Sequence, residues 1–194
     1  MTVHAVYTLP DGRTLPIDFT VDGTGRCEVA MTWQGERAEL PEFGLLLPLR
    51  RELTGVSYLG LGPRETVADR TVGGKMGAWN YNIREDFAQN SPIYPQDCDS
   101  RTGVYSVAVT GSIPGICFAG DSMTFSALPY TPHELENARH LYELPRDGNK
   151  TVVRCAAFQR GVGGDNSWGA KPHENVCFTI EKEIRFRFAL SKQI

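Results

Sequence analysis

Residues 161–169, with the sequence Gly-Val-Gly-Gly-Asp-Asn-Ser-Trp-Gly, combine a flexible backbone with side chains suited to contacting a ligand. Four glycines in nine residues exclude a stable helix interior and predict a tight loop. Asp165, Asn166 and Trp168 supply a carboxylate, an amide and an indole. An indole presented on such a loop suits stacking on a sugar. Composition alone slightly favours the alternative, in which Trp168 packs beneath the loop as a buried plug.

Hydrolysis of a glycosidic bond is a second chemistry to consider, and it needs two carboxylates that face each other across about 5–10 Å. Loop-like segments of the chain carry five candidates: Glu65, Asp69, Asp97, Asp99 and Asp165. Nothing in their spacing pairs any two of them. The arginines adjacent to Glu65 and Asp69 are typical of loop salt bridges. The sequence therefore assigns no catalytic residue.

Other kinds of site lack their motifs. Residues 60–63 have no third glycine at the spacing of a phosphate-binding loop, and no Gly-x-Ser-x-Gly nucleophile elbow occurs. The four histidines show no metal-ligand spacing, and the five cysteines form no Cys-x-x-Cys pair. We therefore expect neither a metal site nor a disulfide framework. Free thiols favour a reducing compartment, which predicts a cytoplasmic location.

The composition indicates a globular protein with a single domain over residues 1–194. A net charge of −3 gives no electrostatic basis for binding nucleic acid or an anionic membrane. No apolar run approaches the length of a membrane-spanning helix, and no signal peptide is visible. We therefore expect neither a nucleic-acid nor a membrane partner.

Alternating apolar residues indicate that the chain consists mainly of β-strands. Two such runs flank the turn at residues 22–25 and predict a β-hairpin over residues 14–34. The alternation at residues 183–190 predicts an antiparallel strand with one side facing solvent. Further strands are predicted at residues 2–8, 43–49, 54–61, 103–109, 115–119, 123–128, 151–159 and 175–180.

One helix and one long loop complete the predicted architecture. The sequence at residues 131–134 has the form of a capping box with proline at the first helical position. It predicts a helix of about ten residues that ends before Pro145. Residues 71–99 show little periodicity, which predicts a long loop that either has a function or seals an edge of the fold. The predicted class is an all-β antiparallel sandwich with one short helix.

Four segments, in order, resemble motifs of the large β-galactosidases of the LacZ type. Residues 58–70 resemble that family's G-x-G-P-x-E…D-R segment, and residues 94–101 resemble its P-Q-E…G-x-R segment. Residues 125–144 resemble its f-S…eLe…H..eL segment. Residues 161–173, with His173, closely match its G-x-G-G-D-D-S-W-G…H loop.

The resemblance implies that the chain is similar to the C-terminal domain of these enzymes. In that family the domain is a large antiparallel β-supersandwich akin to galactose mutarotase, and the two catalytic glutamates lie in an upstream TIM barrel. The resemblance therefore implies no catalytic carboxylate pair in this chain. It implies that Trp168 contacts the galactoside and that Asp165 and Asn166 support it. The family's Mg²⁺ and Na⁺ lie chiefly at the barrel, so no cofactor is expected here.

Because the barrel does not fit within 194 residues, the resemblance implies a partner. This partner is either a catalytic barrel domain or a separate large subunit. The family's sandwich begins several strands earlier, which implies a sandwich that is incomplete at its N-terminus. Unpaired strand edges in such a sandwich favour self-association.

Two of the four segments depart from the family pattern. Residues 66–68 are Thr-Val-Ala where the family often has Asn-Tyr-Pro, and residues 97–99 are Asp-Cys-Asp where it has Glu-Asn-Gly. The family's contacts are therefore not carried over to these two loops, whereas the Trp loop keeps its motif.

Two alternatives from other classes remain open. The first is a free-standing carbohydrate-binding module that holds a sugar with the Trp loop. The second is an aldose epimerase of similar fold, which needs a histidine and a glutamate as an acid–base pair in the sandwich cleft. The spacing of the four histidines indicates no such pair, so fold analogy alone supports the epimerase.

Overall fold

The computed structural model describes residues 1–146, 148–166 and 168–193, and most of them lie in antiparallel strands close to the predicted ranges. The strands are β1 (Thr2–Thr8), β2 (Thr14–Val21), β3 (Cys27–Gln34), β4 (Ala38–Leu40), β5 (Glu42–Arg50), β6 (Leu53–Gly62), β7 (Lys75–Asn82), β8 (Arg101–Gly111), β9 (Ile116–Leu128), β10 (Lys150–Gln159), β11 (Phe178–Ile180) and β12 (Glu183–Lys192).

The main sheet branches at the long strand β9. Within the described residues it contains ten strands and follows the order β1-β2-β3-β12-β9-β8-β6-β7. Residues 116–120 of β9 pair with β12, whereas residues 124–128 pair with β10, which in turn pairs with β5. A separate two-stranded sheet joins β4 and β11. Every one of these pairs is antiparallel, which confirms the predicted all-β antiparallel class.

An apolar cluster takes buried side chains from both branches of the sheet. Val29 and Met31 of β3 lie in it with Phe125 of β9, Val153 of β10 and Phe188 of β12. The alternation seen in the sequence explains this, because every second residue of β3 and β12 faces the cluster. Each such side chain contributes about 1.5–3 kcal/mol when fully buried. The predicted hairpin at residues 14–34 is confirmed as β2 and β3.

The segment 71–99 contains regular structure, so its prediction as a continuous loop is wrong. Strand β7 pairs with β6 within it, and helix α1 (Ile83–Asn90) follows directly. Asn82 joins the two, because its side-chain oxygen accepts the backbone N–H groups of Arg84 and Glu85 and caps the helix. The sequence signal is weak because β7 is an edge strand and because α1 fully buries only Ile83. Helix α1 is therefore additional to the one short helix that the capping box at residues 131–134 predicts.

Helix α2 (Pro132–Asn137) begins at the predicted capping box but is shorter than predicted. Thr131 Oγ1 accepts the Glu134 N–H at 3.1 Å, and Glu134 Oε2 accepts the Thr131 N–H at 2.8 Å. Asn137 Nδ2 donates to the carbonyl of His133 at 2.7 Å, a local hydrogen bond that competes with continuation of the helix. Neither α1, α2 nor any other helix in the described ranges is long and apolar enough to cross a bilayer.

The strands predicted at residues 115–119 and 123–128 are one continuous strand, β9. Its register with β8 shifts between Val104 and Ser106, and Ser122 has a φ angle of +62°. This irregularity bends the strand without ending it. The bend allows the two halves of β9 to pair with different strands, β12 and β10.

Candidate functional site

The loop that follows β10 presents Trp168 to solvent. It leaves the sheet after Gln159, passes through the glycine-rich segment and leads to a short 3₁₀ helix at Glu174–Val176. Trp168 is 92% exposed. This exposure contradicts the alternative in which Trp168 is a buried plug, and it leaves the apolar face of the indole accessible.

The two polar residues predicted to support Trp168 both shape the loop around it. Asn166 Oδ1 accepts the Trp168 N–H at 2.8 Å, which closes a tight turn at the indole. Asp165 Oδ1 lies 2.7 Å from His173 Nε2, and this hydrogen bond raises the pKa of His173. The three predicted site residues therefore lie together in one loop, and the interaction between Asp165 and His173 closes its base.

Asp69, from another motif segment, anchors the same loop to the body of the protein. Its Oδ2 accepts the Gly163 N–H at 2.5 Å. Gly161 donates its N–H to the carbonyl of Val176 at 2.9 Å, and a Cβ at position 161 would lie 2.9 Å from Asp69 Cγ. A Cβ at this position would also lie 2.7 Å from Val176 Cγ2, so any larger residue at position 161 would force Asp69 and Val176 to shift.

Beside the Trp loop lies a cleft of about 740 Å³. Its walls come from residues 64–70, from residues 86–100 and from the ends of β5 and β10. Pro132 and Glu136 of α2 and Val162 of the Trp loop also line it. The fold therefore brings all four motif segments to the same cleft, although they are spread over more than half of the chain.

Arg154 lies in the wall of this cleft and is only 2% exposed. Its two terminal nitrogens donate to Asp97 Oδ1 and Oδ2 at 3.2 and 2.6 Å, and Nη1 also donates to the hydroxyls of Ser100 and Ser126. Arg154 Nε lies 2.8 Å from Glu42 Oε2, an ion pair whose geometry falls outside that of a hydrogen bond. Burial raises the pKa of Glu42. Arg154 thus links the loop at residues 91–100 to strands β5, β9 and β10.

Arg101 is a second guanidinium removed from solvent, with a relative exposure of zero. Its Nη1 lies 2.7 Å from Asp99 Oδ1, its Nη2 lies 3.4 Å from Asp86 Oδ2, and its Nε donates to Tyr58 Oη at 3.1 Å. The guanidinium carbon lies 4.0 Å from the ring centroid of Tyr81, a cation–π contact. Both charged and aromatic partners therefore fix Arg101 beneath the cleft.

The buried position of Asp99 beside Arg101 changes the pKa of its carboxyl group. Burial raises its pKa to about 7, against the opposing effect of Arg101, and the neighbouring Asp86 raises it further. Asp99 also has a φ angle of +64°, a left-handed conformation that aspartate and asparagine adopt more readily than most residues. The cleft therefore contains a carboxyl group that titrates near neutral pH.

The two loops that depart from the family pattern bind each other. Glu65 Oε1 lies 2.8 Å from Arg70 Nη1, and Glu65 Oε2 accepts the Asp99 N–H at 2.6 Å. The Thr66 N–H donates to the carbonyl of Ser100 at 2.8 Å. These residues fix the shape of one wall of the cleft.

Glu65 therefore forms a loop salt bridge, but with Arg70 and not with the adjacent Arg64, which pairs with Asp86. The expected pairing of Asp69 with Arg70 is likewise wrong, because Arg70 binds Glu65.

Three of the five candidate carboxylates, Glu65, Asp97 and Asp99, meet in the cleft. Each is engaged by an arginine, so they form ion pairs instead of an isolated acid and base. Asp69 serves the Trp loop, and Asp165 lies on that loop. No histidine lies among the described residues that line the cleft, which argues against the acid–base pair that an aldose epimerase needs.

The network around Arg154 was not predicted from the sequence. Its signal is an arginine at the centre of an otherwise buried strand, since residues 151–156 are all buried. A charged residue is rarely fully buried unless it is paired, so this position indicates a buried carboxylate partner. The sequence does not identify that partner, because Asp97 lies 57 positions away.

A family model described as "Beta galactosidase small chain" matches residues 1–190. The chain is 36% identical to a β-galactosidase of Lactobacillus delbrueckii subsp. bulgaricus, over 97% of this chain and 19% of that protein. It is 31% identical to a β-galactosidase small subunit of Latilactobacillus sakei, over 97% of this chain and 62% of that protein. The chain thus spans less than two thirds of either relative.

Among solved structures, a galactose mutarotase related enzyme from Lactobacillus acidophilus aligns with all of this chain and with 67% of that chain. The TM-score is 0.46 and the sequence identity is 8%. Membership is shown by the sequence match, which extends over nearly the whole chain and includes all four motif segments. The chain belongs to the β-galactosidase small-chain family.

Proposed function

We propose that this chain is the C-terminal β-sandwich part of a β-galactosidase and that it completes the galactoside-binding pocket of a catalytic partner with Trp168. The observation that carries the proposal is the 92% exposure of Trp168 on a loop braced at several points. An exposed indole on a loop of fixed shape is available to a ligand or to a partner. An indole offers its flat face to the C–H groups of a sugar ring.

The bracing of the loop supports this role, because a binding residue must hold its position before the ligand arrives. Asp69, Asn166 and the Asp165–His173 pair fix the backbone on either side of the indole. Trp168 itself is free to make contacts outside the chain.

The chain has no catalytic function of its own in this proposal. A glycosidase needs one carboxyl to donate a proton and a second to act as nucleophile or base. The carboxylates of the cleft are held by Arg70, Arg101 and Arg154. The acid and the nucleophile come from the partner, either a barrel domain in the same polypeptide or a large subunit. Any metal that the reaction requires belongs to that partner too.

The relatives support a partner of this kind. A small subunit is by its name one component of a larger enzyme, and the single-chain relative has more than four fifths of its length outside the matched region.

Self-association is a further part of the proposal. Strand β1 lies at the end of the sheet, and Val3, Val6 and Tyr7 on it are exposed.

The test is turnover of a chromogenic β-galactoside by the enzyme assembled from this chain and its catalytic partner. Trp168→Ala should reduce kcat/KM by about tenfold or more, because a stacking contact contributes roughly 0.5–1.5 kcal/mol beyond the apolar area that it buries. The matched control is Tyr142→Ala, which removes another exposed aromatic residue and should leave kcat/KM unchanged. Unchanged kcat and KM in Trp168→Ala would contradict the pocket role.

The same assay on the chain without its partner should show no turnover above the uncatalysed rate. Hydrolysis at the rate of an enzyme by the chain alone would refute the assignment of both catalytic carboxylates to the partner.

A free-standing carbohydrate-binding module is the second candidate, because an exposed indole is also the feature that such a module presents. It predicts that the chain alone binds galactose or lactose through Trp168. Calorimetric titration of the chain and of Trp168→Ala distinguishes the two. Binding that disappears with the indole supports the module.

A further inference from the structure

The mouth of the cleft carries exposed apolar side chains from two of the loops that form it. Ile93 is 90% exposed and Tyr94 is 70% exposed, and they lie between Pro92 and Gln96, which both line the cleft. Val162 of the Trp loop also lines the cleft and is more than half exposed. A single exposed apolar side chain is common on any protein, whereas several that border one concave site are typical of a protein-binding surface.

The loop that presents Ile93 and Tyr94 is held in place on both sides. Helix α1 ends directly before it. On the other side, Asp97 accepts hydrogen bonds from both terminal nitrogens of the buried Arg154 and from Gln159. Side chains on a loop that is already ordered lose less conformational entropy on association, so this loop is suited to an interface.

One end of the cleft has more carboxylates than guanidiniums. Asp97 and Glu42 both form ion pairs with Arg154 and therefore share its charge. Glu136 of α2 also lines the cleft, is exposed, and forms no ion pair within the described parts of the chain. Three carboxylates thus lie with one shared guanidinium at this end, which makes the local charge negative.

These negative charges act on one another. Burial raises the pKa of Glu42, against the opposing effect of Arg154, and the negative charges of Asp97 and Glu136 raise it further. Arg160 does not offset them, because it pairs with a glutamate outside the cleft lining. A basic group from outside the chain is therefore attracted to this end of the cleft. It would contact the exposed Glu136, since the oxygen that Glu42 turns to Arg154 is buried.

The size of a stable interface indicates which molecule covers this surface. A specific protein–protein interface buries about 800 Å² on each partner, which is several times the area of one side chain. A partner that receives Trp168 must therefore contact more of the chain than the indole, and the cleft mouth borders the Trp loop. The single-chain relative has more than four fifths of its length outside the matched region, which is ample for such a partner.

We propose that the cleft mouth is the docking surface for the catalytic partner, which places a basic side chain flanked by apolar residues against Glu136, Ile93 and Tyr94. The proposal rests on the proposed function in its choice of partner. Ile93 and Tyr94 supply the apolar contact, and Glu136 favours the correct orientation and faster association.

The experiment is surface plasmon resonance with the 194-residue chain immobilised and the catalytic partner in solution. Tyr94→Ala should raise the dissociation constant about tenfold or more, because aromatic anchors contribute much of the affinity of an interface. The matched control is Tyr105→Ala, which removes an exposed tyrosine of β8 that does not line the cleft. It should bind within about twofold of the original chain.

Glu136→Lys tests the charge in the same measurement. It should raise the dissociation constant about fivefold or more, mainly through slower association, and binding should then depend less on salt concentration. The control is Glu36→Lys, which makes the same change at an exposed glutamate in the turn between β3 and β4. This control should bind within about twofold of the original chain.

Three results overturn the docking surface: no binding of the partner, or an unchanged dissociation constant in either Tyr94→Ala or Glu136→Lys. Binding of a second copy of the chain that is lost in Tyr94→Ala, with partner binding unchanged, would assign the surface to self-association and would also overturn it.

Turnover separates this proposal from the role of Trp168. With the partner saturated, Tyr94→Ala should retain kcat/KM within about twofold, whereas Trp168→Ala should reduce it. Weaker partner binding in Tyr94→Ala together with unchanged turnover in Trp168→Ala would support the docking surface and reject the pocket role alone.

Discussion

The polar residues of the four motif segments mostly bind one another, so the shape of the site rests on side chains that need not touch a ligand. Asp69 is an example. It lies in a loop that departs from the family pattern, yet it accepts a backbone N–H from the Trp loop 94 positions away. The departure at residues 66–68 therefore leaves the anchoring of Trp168 intact.

Replacing Asp69 with alanine is expected to loosen the Trp loop while the sheet remains folded. Gly163 loses the acceptor of its N–H, and the gap beside Gly161 permits other backbone conformations. Limited proteolysis should cleave residues 160–173 at least about fivefold faster, since cleavage follows the free energy of local opening. The far-UV circular dichroism spectrum should not change.

The matched control for this variant is Asp121→Ala, which removes an exposed aspartate from β9. It should be cleaved at the original rate. If Asp69→Ala is cleaved no faster than this control, the anchoring role of Asp69 is wrong.

Asp99 should make stability depend on pH. Its carboxyl has a pKa of about 7 in the folded chain against an ordinary value of 3.8. Between these values the folded state binds more protons than the unfolded state, so stability falls as the pH rises toward 7. Asp99→Asn removes the titration and tolerates the same backbone conformation. The stability of the original chain relative to this variant should be greater at pH 5 than at pH 8 by about 2–3 kcal/mol.

The measurement is urea unfolding of both proteins at the two pH values. Parallel pH profiles for the original chain and Asp99→Asn would show that Asp99 does not titrate in this range.

At the residue scale, the sequence predicts features formed by neighbouring residues, but it does not predict contacts between residues that are far apart in the chain. The glycines, Asn166 and Trp168 lie in one short stretch, so a tight loop that carries an indole could be predicted from that stretch alone. The exposure of the indole was expected from the family resemblance, whereas composition slightly favoured a buried Trp168. The pairing of Arg154 with Asp97 joins positions 57 apart, and only the folded sheet brings them together. The altered pKa of Asp99 depends on burial by several segments, which no local pattern reports.

At the scale of elements, period-two alternation identified most strands because a strand with one buried face alternates by geometry. The prediction failed at residues 71–99, where β7 is an edge strand and α1 is short. An element with little buried surface leaves little periodicity in the sequence. The same physics explains why the hairpin β2–β3, which packs on the core cluster, was predicted with nearly correct ends.

Strand β10 owes its position to both the apolar core and the buried Arg154. Replacing Arg154 with methionine should destabilise the chain by about 3–5 kcal/mol, because it leaves the carboxylates of Asp97 and Glu42 without their buried countercharge. The matched control is Arg187→Met, which changes an exposed arginine on β12 and should cost less than about 0.5 kcal/mol. Urea unfolding measures both.

Equal stability of these two variants would mean that the Arg154 network does not hold β10 in place. In that case the buried ion pairs would be an incidental feature of the cleft wall.

At the scale of the whole molecule, β1 is one of three strands, with β5 and β7, at which the branched sheet ends in the described part of the chain. Strand β1 pairs only with β2 in the described part of the chain. We expect the isolated chain to associate through the open edge of this strand at high concentration. Val6→Lys, a charge on β1, should lower the average mass measured by sedimentation equilibrium toward that of the monomer.

The control for this experiment is Val72→Lys, which places the same charge on a fully exposed residue outside the strands. It should leave the average mass unchanged. An original chain that is monomeric at all concentrations would contradict association through β1.

The branching of the sheet at β9 has a consequence for synthesis of the protein. Strand β12 lies between β3 and β9 and is the final strand in the described chain. Until the ribosome has released residues 183–192, β3 and the first half of β9 each lack a neighbour, and the hairpin β2–β3 has no hydrogen-bonded link to the rest of the sheet. Contacts over such long sequence separations slow folding. The nascent chain therefore exposes open strand edges until residues 183–192 have been translated, which favours binding of chaperones that recognise extended segments.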